Sequence, residues 1–194
     1  GYVDNIRLGR RDINGTRSTG MRAALAYAPT PQLSLLLSVA RQADRAEDPL
    51  SYWYPRLGRY TNDANISGLY RSDIDLVSGV LKWELPAGTL TATASRYGWK
   101  TIYGSDYTST LQRAAADPAA CTAYFAAGGP CNTLQASMFA AYAQSRTPGV
   151  WYQPATLHAD SQEVRFTSAN GGPLQWTVGA YFEDRRDHFD SVDA

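Results

Sequence analysis

Ser161–Asp187, SQEVRFTSANGGPLQWTVGAYFEDRRD, is the stretch on which the fold turns. Its middle, Asn170-Gly171-Gly172-Pro173, supplies positive φ and then a fixed bend, the chemistry of a turn between two strands. Beyond the turn, Leu174, Trp176, Val178, Ala180 and Phe182 fall on one face of a strand. Gln175, Thr177, Gly179, Tyr181 and Glu183 fall on the other, because side chains alternate with a period of two. Before the turn, Val164 and Phe166 alternate with Glu163, Arg165 and Thr167. One side of the hairpin is therefore apolar and the other carries charge. A hairpin this long must bury its oily side against something extensive, either a second sheet or lipid.

The same pattern recurs towards the N-terminus. Residues 1–20 are polar, punctuated by Asn, Asp and Gly, and read as a loop feeding a strand. Over residues 21–28, Met21, Ala23, Leu25 and Tyr27 alternate with Arg22, Ala24, Ala26 and Ala28, and Pro29-Thr30-Pro31 ends the strand. Residues 33–42 answer with Leu33, Leu35, Leu37 and Val39 on one side. Residues 43–70 are charged and aromatic with no clear period. A third hairpin places Val77, Leu81, Trp83 and Leu85 opposite Ser78, Lys82 and Glu84. It turns at Pro86-Ala87-Gly88 and returns over residues 89–102, with either Leu90, Ala92 and Ala94 or Tyr97 and Trp99 on the apolar face. Residues 103–160 read as one very long connection. Within it the alanine-rich Thr110–Ala127 is compatible with a short helix.

Three hairpins with tight turns at one end and long polar loops at the other predict an all-β fold. The expected form is an antiparallel, up-and-down transmembrane β-barrel segment of about six strands. In that form the short turns are periplasmic, and loops 1–20, 43–70 and 103–160 are extracellular. Strands of about 9–14 residues match a tilted crossing of a bilayer better than the usual soluble strand. Tyr27, Trp83 and Trp176 lie close to the short turns, where a membrane barrel carries an aromatic girdle. The alternative is a secreted β-sandwich glycan-binding module, with ordinary core aromatics and with glycan held by its aromatic loops.

Composition narrows the function. Lys+Arg and Asp+Glu balance at 18 each in the 194 residues, and no basic run exists, so nucleic acid is not an expected partner. No apolar stretch is long enough for a transmembrane helix, which says nothing about a barrel. Cys121 and Cys131 sit in a Gly/Pro/Ala-rich region and read as a local disulfide in an oxidising compartment, with two free thiols the alternative. Neither His158 nor His188 stands near them in sequence, so no metal site is expected. No cofactor and no catalytic set are expected either. Ser161 with His158 and Asp160 is a local cluster in a polar segment, whereas triads are spatial.

GYVDNIRLGRRDINGTRSTGMRAALAYAPTPQLSLLLSVARQ resembles the early barrel of TonB-dependent outer-membrane receptors. There a Gly-Tyr/Phe-x-x-Asn segment and an Asp-Val/Ile-Asn segment precede an Arg-bearing strand, a Pro-Thr turn and a Leu/Ser-alternating strand. SQEVRFTSANGGPLQWTVGAYFED is similar to that family's Gln-Glu-x-Arg-Phe/Leu-x-Ser hairpin, and LKWELPAGTLTATASRYGW to the strand pair between them. The resemblance implies a 22-stranded barrel around an N-terminal plug. It implies import of a scarce nutrient such as siderophore-bound iron, with energy from the TonB complex, in the outer membrane of a Gram-negative bacterium. The 194 residues would then be part of a longer receptor, with the plug domain, the remaining strands, outer-membrane lipid and a small-molecule nutrient as partners.

Ligand contacts are expected in the long loops. Tyr52, Trp53, Tyr54, Arg56, Arg59 and Tyr60 form the densest cluster, combining aromatic planes with guanidinium groups suited to flat or anionic ligands. The same cluster equally suits a loop packed by its own aromatics. Arg22, Lys82, Glu84, Glu163, Arg165 and Glu183 are expected to line the lumen or meet the plug.

Overall fold

The computed structural model describes residues 1–48, 55–126, 128–169 and 173–193. In chain order the elements are β1 (Asp4–Asn5), β2 (Thr16–Thr30), β3 (Leu33–Ala46), a 3-10 turn (Pro55–Leu57), β4 (Thr61–Asn62), β5 (Leu69–Leu85) and β6 (Gly88–Asp106). Then come α1 (Thr108–Ala115), α2 (Pro118–Tyr124), α3 (Thr133–Ser145), β7 (Val150–Ser168), β8 (Thr177–Phe189) and β9 (Val192–Asp193). Strands β2, β3, β5, β6, β7 and β8 follow one another in a single antiparallel sheet, each beside its neighbour in sequence, and β9 adds a short rung beside β7. The path ends at β2 and β8, which do not pair with each other, so the sheet is open rather than a closed barrel.

The three hairpins expected from alternation are present, and their strands are longer than the alternation revealed. Residues 16–20 and 43–46 extend β2 and β3, and 69–72 extend β5. Asp106 ends β6 and Val150 begins β7, so the segments read as loops 1–20, 43–70 and 103–160 are narrower than expected. The connection between β6 and β7 is not a plain loop, since it holds three helices. Pro29 does not end β2. The strand runs on to Thr30 through an irregularity between Tyr27 and Thr30, on an edge strand where a missing N–H costs little. The turn at Asn170, Gly171 and Gly172 lies outside the described residues. At the turn between β5 and β6, Gly88 has φ 151°, and a Cβ there would stand 2.2 Å from the Thr167 carbonyl oxygen, so only glycine fits.

The register resolves the facing. Leu33, Trp83, Leu90, Phe166 and Val178 stand side by side in one cross-strand row, and Tyr27, Leu35, Leu81, Ala92, Val164 and Ala180 in the next. The apolar choice for β6 is therefore Leu90, Ala92 and Ala94. Tyr97 and Trp99 point the other way, where Trp99 Nε1 donates to Ser72 Oγ at 2.8 Å. The unbroken apolar run on the oily face ends at Met21 on β2, Val39 on β3, Val77 on β5, Ala94 on β6, Val164 on β7 and Phe182 on β8. The row that starts at Met21 reaches β8 at Arg186, four residues beyond Phe182. The boundary between oil and charge thus falls by roughly 14 Å across roughly 24 Å of sheet, a slant of about 30°.

Neither face of the sheet is a core. Leu174, Val178 and Phe182 are 73%, 60% and 64% exposed, and no second sheet or helix covers them among the described residues. The buried apolar side chains sit instead at the long-loop end. Val3 and Ile13 close an N-terminal clasp in which β1 pairs parallel with β4, and Cys121, Phe139 and Ala143 close the three-helix cap. Cys121 and Cys131 are joined in a disulfide that ties α2 to the segment before α3. No helix among the described residues is long and apolar enough to cross a membrane.

Candidate functional site

The N-terminal clasp, the 3-10 turn, the loop after β4, the end of β6 and α1 converge on a polar cavity of about 520 Å³. Its walls are held by short, specific contacts. Asn5 Nδ2 donates to the Ala64 carbonyl at 2.9 Å and Arg7 Nε to the Asp63 carbonyl at 2.8 Å, which fixes the N-terminal segment against the 61–65 strip. Asp106 accepts from the backbone N–H of Asn65 at 2.6 Å and from that of Thr108 at 2.8 Å, so one carboxylate anchors the strip and starts α1. Those bonds exist because β6 ends on an aspartate two residues before the helix begins.

Charge in the cavity is mixed. Arg7 and Arg56 converge on Asp63, at 3.8 and 3.1 Å, while Arg113 donates to Thr110 Oγ1 within its own helix at 3.0 Å. Asp48 is buried, at 8% exposure. Burial pushes its carboxyl above the usual carboxylate range, the Gly68 N–H pulls it back, and the Asp106 charge pushes it up again. Guanidinium groups, amides and hydroxyls set among three carboxylates suit a small polar ligand. No group of three His, Cys, Asp or Glu side chains gathers as a metal site among the described residues.

The expected ligand residues scatter. Arg56 lines the cavity. Arg59 instead lies over the Tyr60 ring, 4.7 Å from its centroid, and Tyr60 packs edge-on against Tyr2 at 5.2 Å, so this pair braces the clasp. Tyr52, Trp53 and Tyr54 lie outside the described residues. Arg22, Lys82, Glu84, Glu163, Arg165 and Glu183 all share the non-apolar face of the sheet. There Lys82 meets Glu84 at 2.8 Å, Arg165 meets Glu163 at 3.9 Å, and the Tyr181 hydroxyl donates to Glu183. The Ser161, His158 and Asp160 cluster is not a loop end but the middle of β7. Ser161 bonds to Ser95 at 2.7 Å on one face while Asp160 pairs with Arg96 at 2.6 Å on the other.

Sequence reading missed Arg7, Asp48, Asn65, Asp106 and Arg113 as cavity residues. Asp106 two residues before Thr108 was the one available signal, an acceptor poised at a helix start. The others come from segments without periodicity, brought together only by tertiary pairing.

No family model matches the chain, and neither does any curated protein. The site's chemistry and the sheet's two faces are therefore the grounds for its function.

Proposed function

We propose that the chain is part of the barrel of a TonB-dependent outer-membrane receptor, and that it helps import a scarce nutrient such as a siderophore–iron complex. The observation that carries this reading is the disposition of the sheet. Six long strands form a meander, one face is oily, and neither face is covered. The slant of the oily boundary, about 30°, is close to the tilt of strands in membrane barrels, roughly 35–45°. Tyr27, Trp83 and Trp176 stand exposed on the oily face near the short turns, where an interfacial girdle belongs. Lipid satisfies an oily face but no open edge, so β2 and β8 need further strands of the same barrel. The non-apolar face then looks into the lumen, and the cavity among the loops is the mouth through which a ligand is first held.

The test is depth-dependent quenching. With the chain reconstituted in vesicles of brominated lipid, Trp83 and Trp176 emission should fall strongly, whereas Trp99, on the opposite face, should be spared; single-tryptophan variants separate the signals. Equal quenching of all three, or a monomer that stays soluble without detergent, would reject the reading. A secreted β-sandwich glycan-binding module is the competing expectation, and the oily face, which no second sheet covers among the described residues, counts against it.

A further inference from the structure

Beyond the apolar band on the same face, charge is not evenly mixed. Near the short-turn side of the charged zone the ions are matched: Arg41 lies 3.6 Å from Asp75, Arg96 pairs with Asp160, and Arg186 with Asp184 at 2.8 Å. One to two rows further out, Arg17, Arg45 and Arg71 align across β2, β3 and β5, and Lys100 on β6 stands opposite Asp73. Asp73 is the only carboxylate among these side chains, and its two oxygens accept from Arg45 Nη2 at 2.8 and 2.9 Å. Glu47, just beyond β3, is taken by Arg10 at 2.7 Å. Arg17, Arg71 and Lys100 are exposed and make no ion pair or side-chain hydrogen bond among the described residues. Four cations against one carboxylate leave a surplus of three positive charges, on strands spaced about 4.8 Å apart.

We propose that this cluster binds the phosphomonoester headgroup of an anionic membrane lipid whose acyl chains lie along the apolar band below it. The inference rests on the reading of the oily face as lipid-facing. Two features favour a lipid headgroup. Guanidinium forks and an ammonium suit phosphate oxygens, and a monoester carries close to two negative charges, which matches the surplus better than a singly charged diester. Across the Arg41–Asp75 pair the same face passes into Val39, Val77 and Leu37, so a ligand with both a phosphate and long chains reaches both surfaces at once. A free phosphate would use only half of this surface.

The test titrates the whole chain in detergent micelles with a phosphomonoester lipid, with phosphatidylcholine and with inorganic phosphate, counting bound ligand by native mass spectrometry. Saturable retention of the phosphomonoester lipid over phosphatidylcholine is expected, weakened roughly 20-fold in the Arg71→Gln/Lys100→Gln double variant. Arg22→Gln/Arg185→Gln, which removes as much charge from the opposite face, should leave retention unchanged. Equal binding of both lipids, or equal loss in both double variants, overturns the inference while the lipid-facing reading stands. Inorganic phosphate held as tightly as the lipid likewise overturns it, in favour of a free anion. A chain that needs no detergent and retains neither lipid overturns the underlying reading together with it.

Discussion

Val178 and Thr177 are adjacent in sequence and opposite in setting. Val178 shares its row with Phe166 and Leu90, and Thr177 bonds to Thr167 at 3.1 Å on the other face. Replacing Val178 by Arg on the lipid face should lower stability in a bilayer, by up to about 2–4 kcal/mol according to its depth, and Thr177→Arg should cost little. Urea unfolding in vesicles measures both, and equal costs would contradict the facing. Asp48 supports a prediction of a different kind. Its folded-state pKa lies above the unfolded one, so folding binds its proton more tightly, and the carboxyl destabilises the fold as pH rises through the raised value. Asp48→Asn keeps an acceptor for the Gly68 N–H and removes the charge. The variant should be more stable than the parent at pH 7, and that advantage should vanish near pH 3. An advantage of the same size at both pH values would show that Asp48 is not strained by its charge.

Among the elements, α3 is the clearest case of a local signal overlooked. Asn132 and Gln135 form a reciprocal cap, each side chain accepting from the other's backbone N–H at 2.9 Å. The run TLQASMFAAYAQS behind it favours helix. Asn132→Ala should cost about 1 kcal/mol locally. Amide exchange should quicken in α3 and stay unchanged in β5 and β6; uniform quickening would mean that cap and sheet melt together. The strands themselves were legible wherever one face was oily and the other polar, as in Leu33–Val39 or Thr177–Phe182, although β8 begins at Thr177 and not at Leu174 as the alternation suggests. Past the apolar band the contrast changes sides: Ile74 and Leu76 on β5 and Tyr97 and Trp99 on β6 lie on the opposite face from Asp73, Asp75, Arg96 and Lys100. The outermost ends of β3, β5 and β6, residues 43–46, 69–72 and 103–106, were not legible in sequence, because no oily side continues there to mark a period of two. The cavity was less legible still. Only Arg56 belonged to the expected cluster, because its walls come from segments as far apart as Arg7 and Arg113.

At the scale of the whole molecule, the sheet carries two long open edges. Each presents a row of unpaired N–H and C=O groups that another chain can extend. The 194 residues alone in detergent should therefore self-associate into a range of sizes, and light scattering after gel filtration would show it. A single monodisperse monomer would mean that the edges are closed in some other way. The N-terminal clasp has a mechanical consequence of its own. Residues 1–15 reach the cavity through parallel rungs, Asp4 opposite Thr61 and Asn5 opposite Asn62, reinforced by Arg7 on the Asp63 carbonyl. Tension applied at Gly1 loads these rungs side by side in shear instead of peeling them one at a time. A tug there is delivered intact to the wall that carries Arg56 and Asp63, which makes the clasp a stiff tether between the chain's start and its mouth.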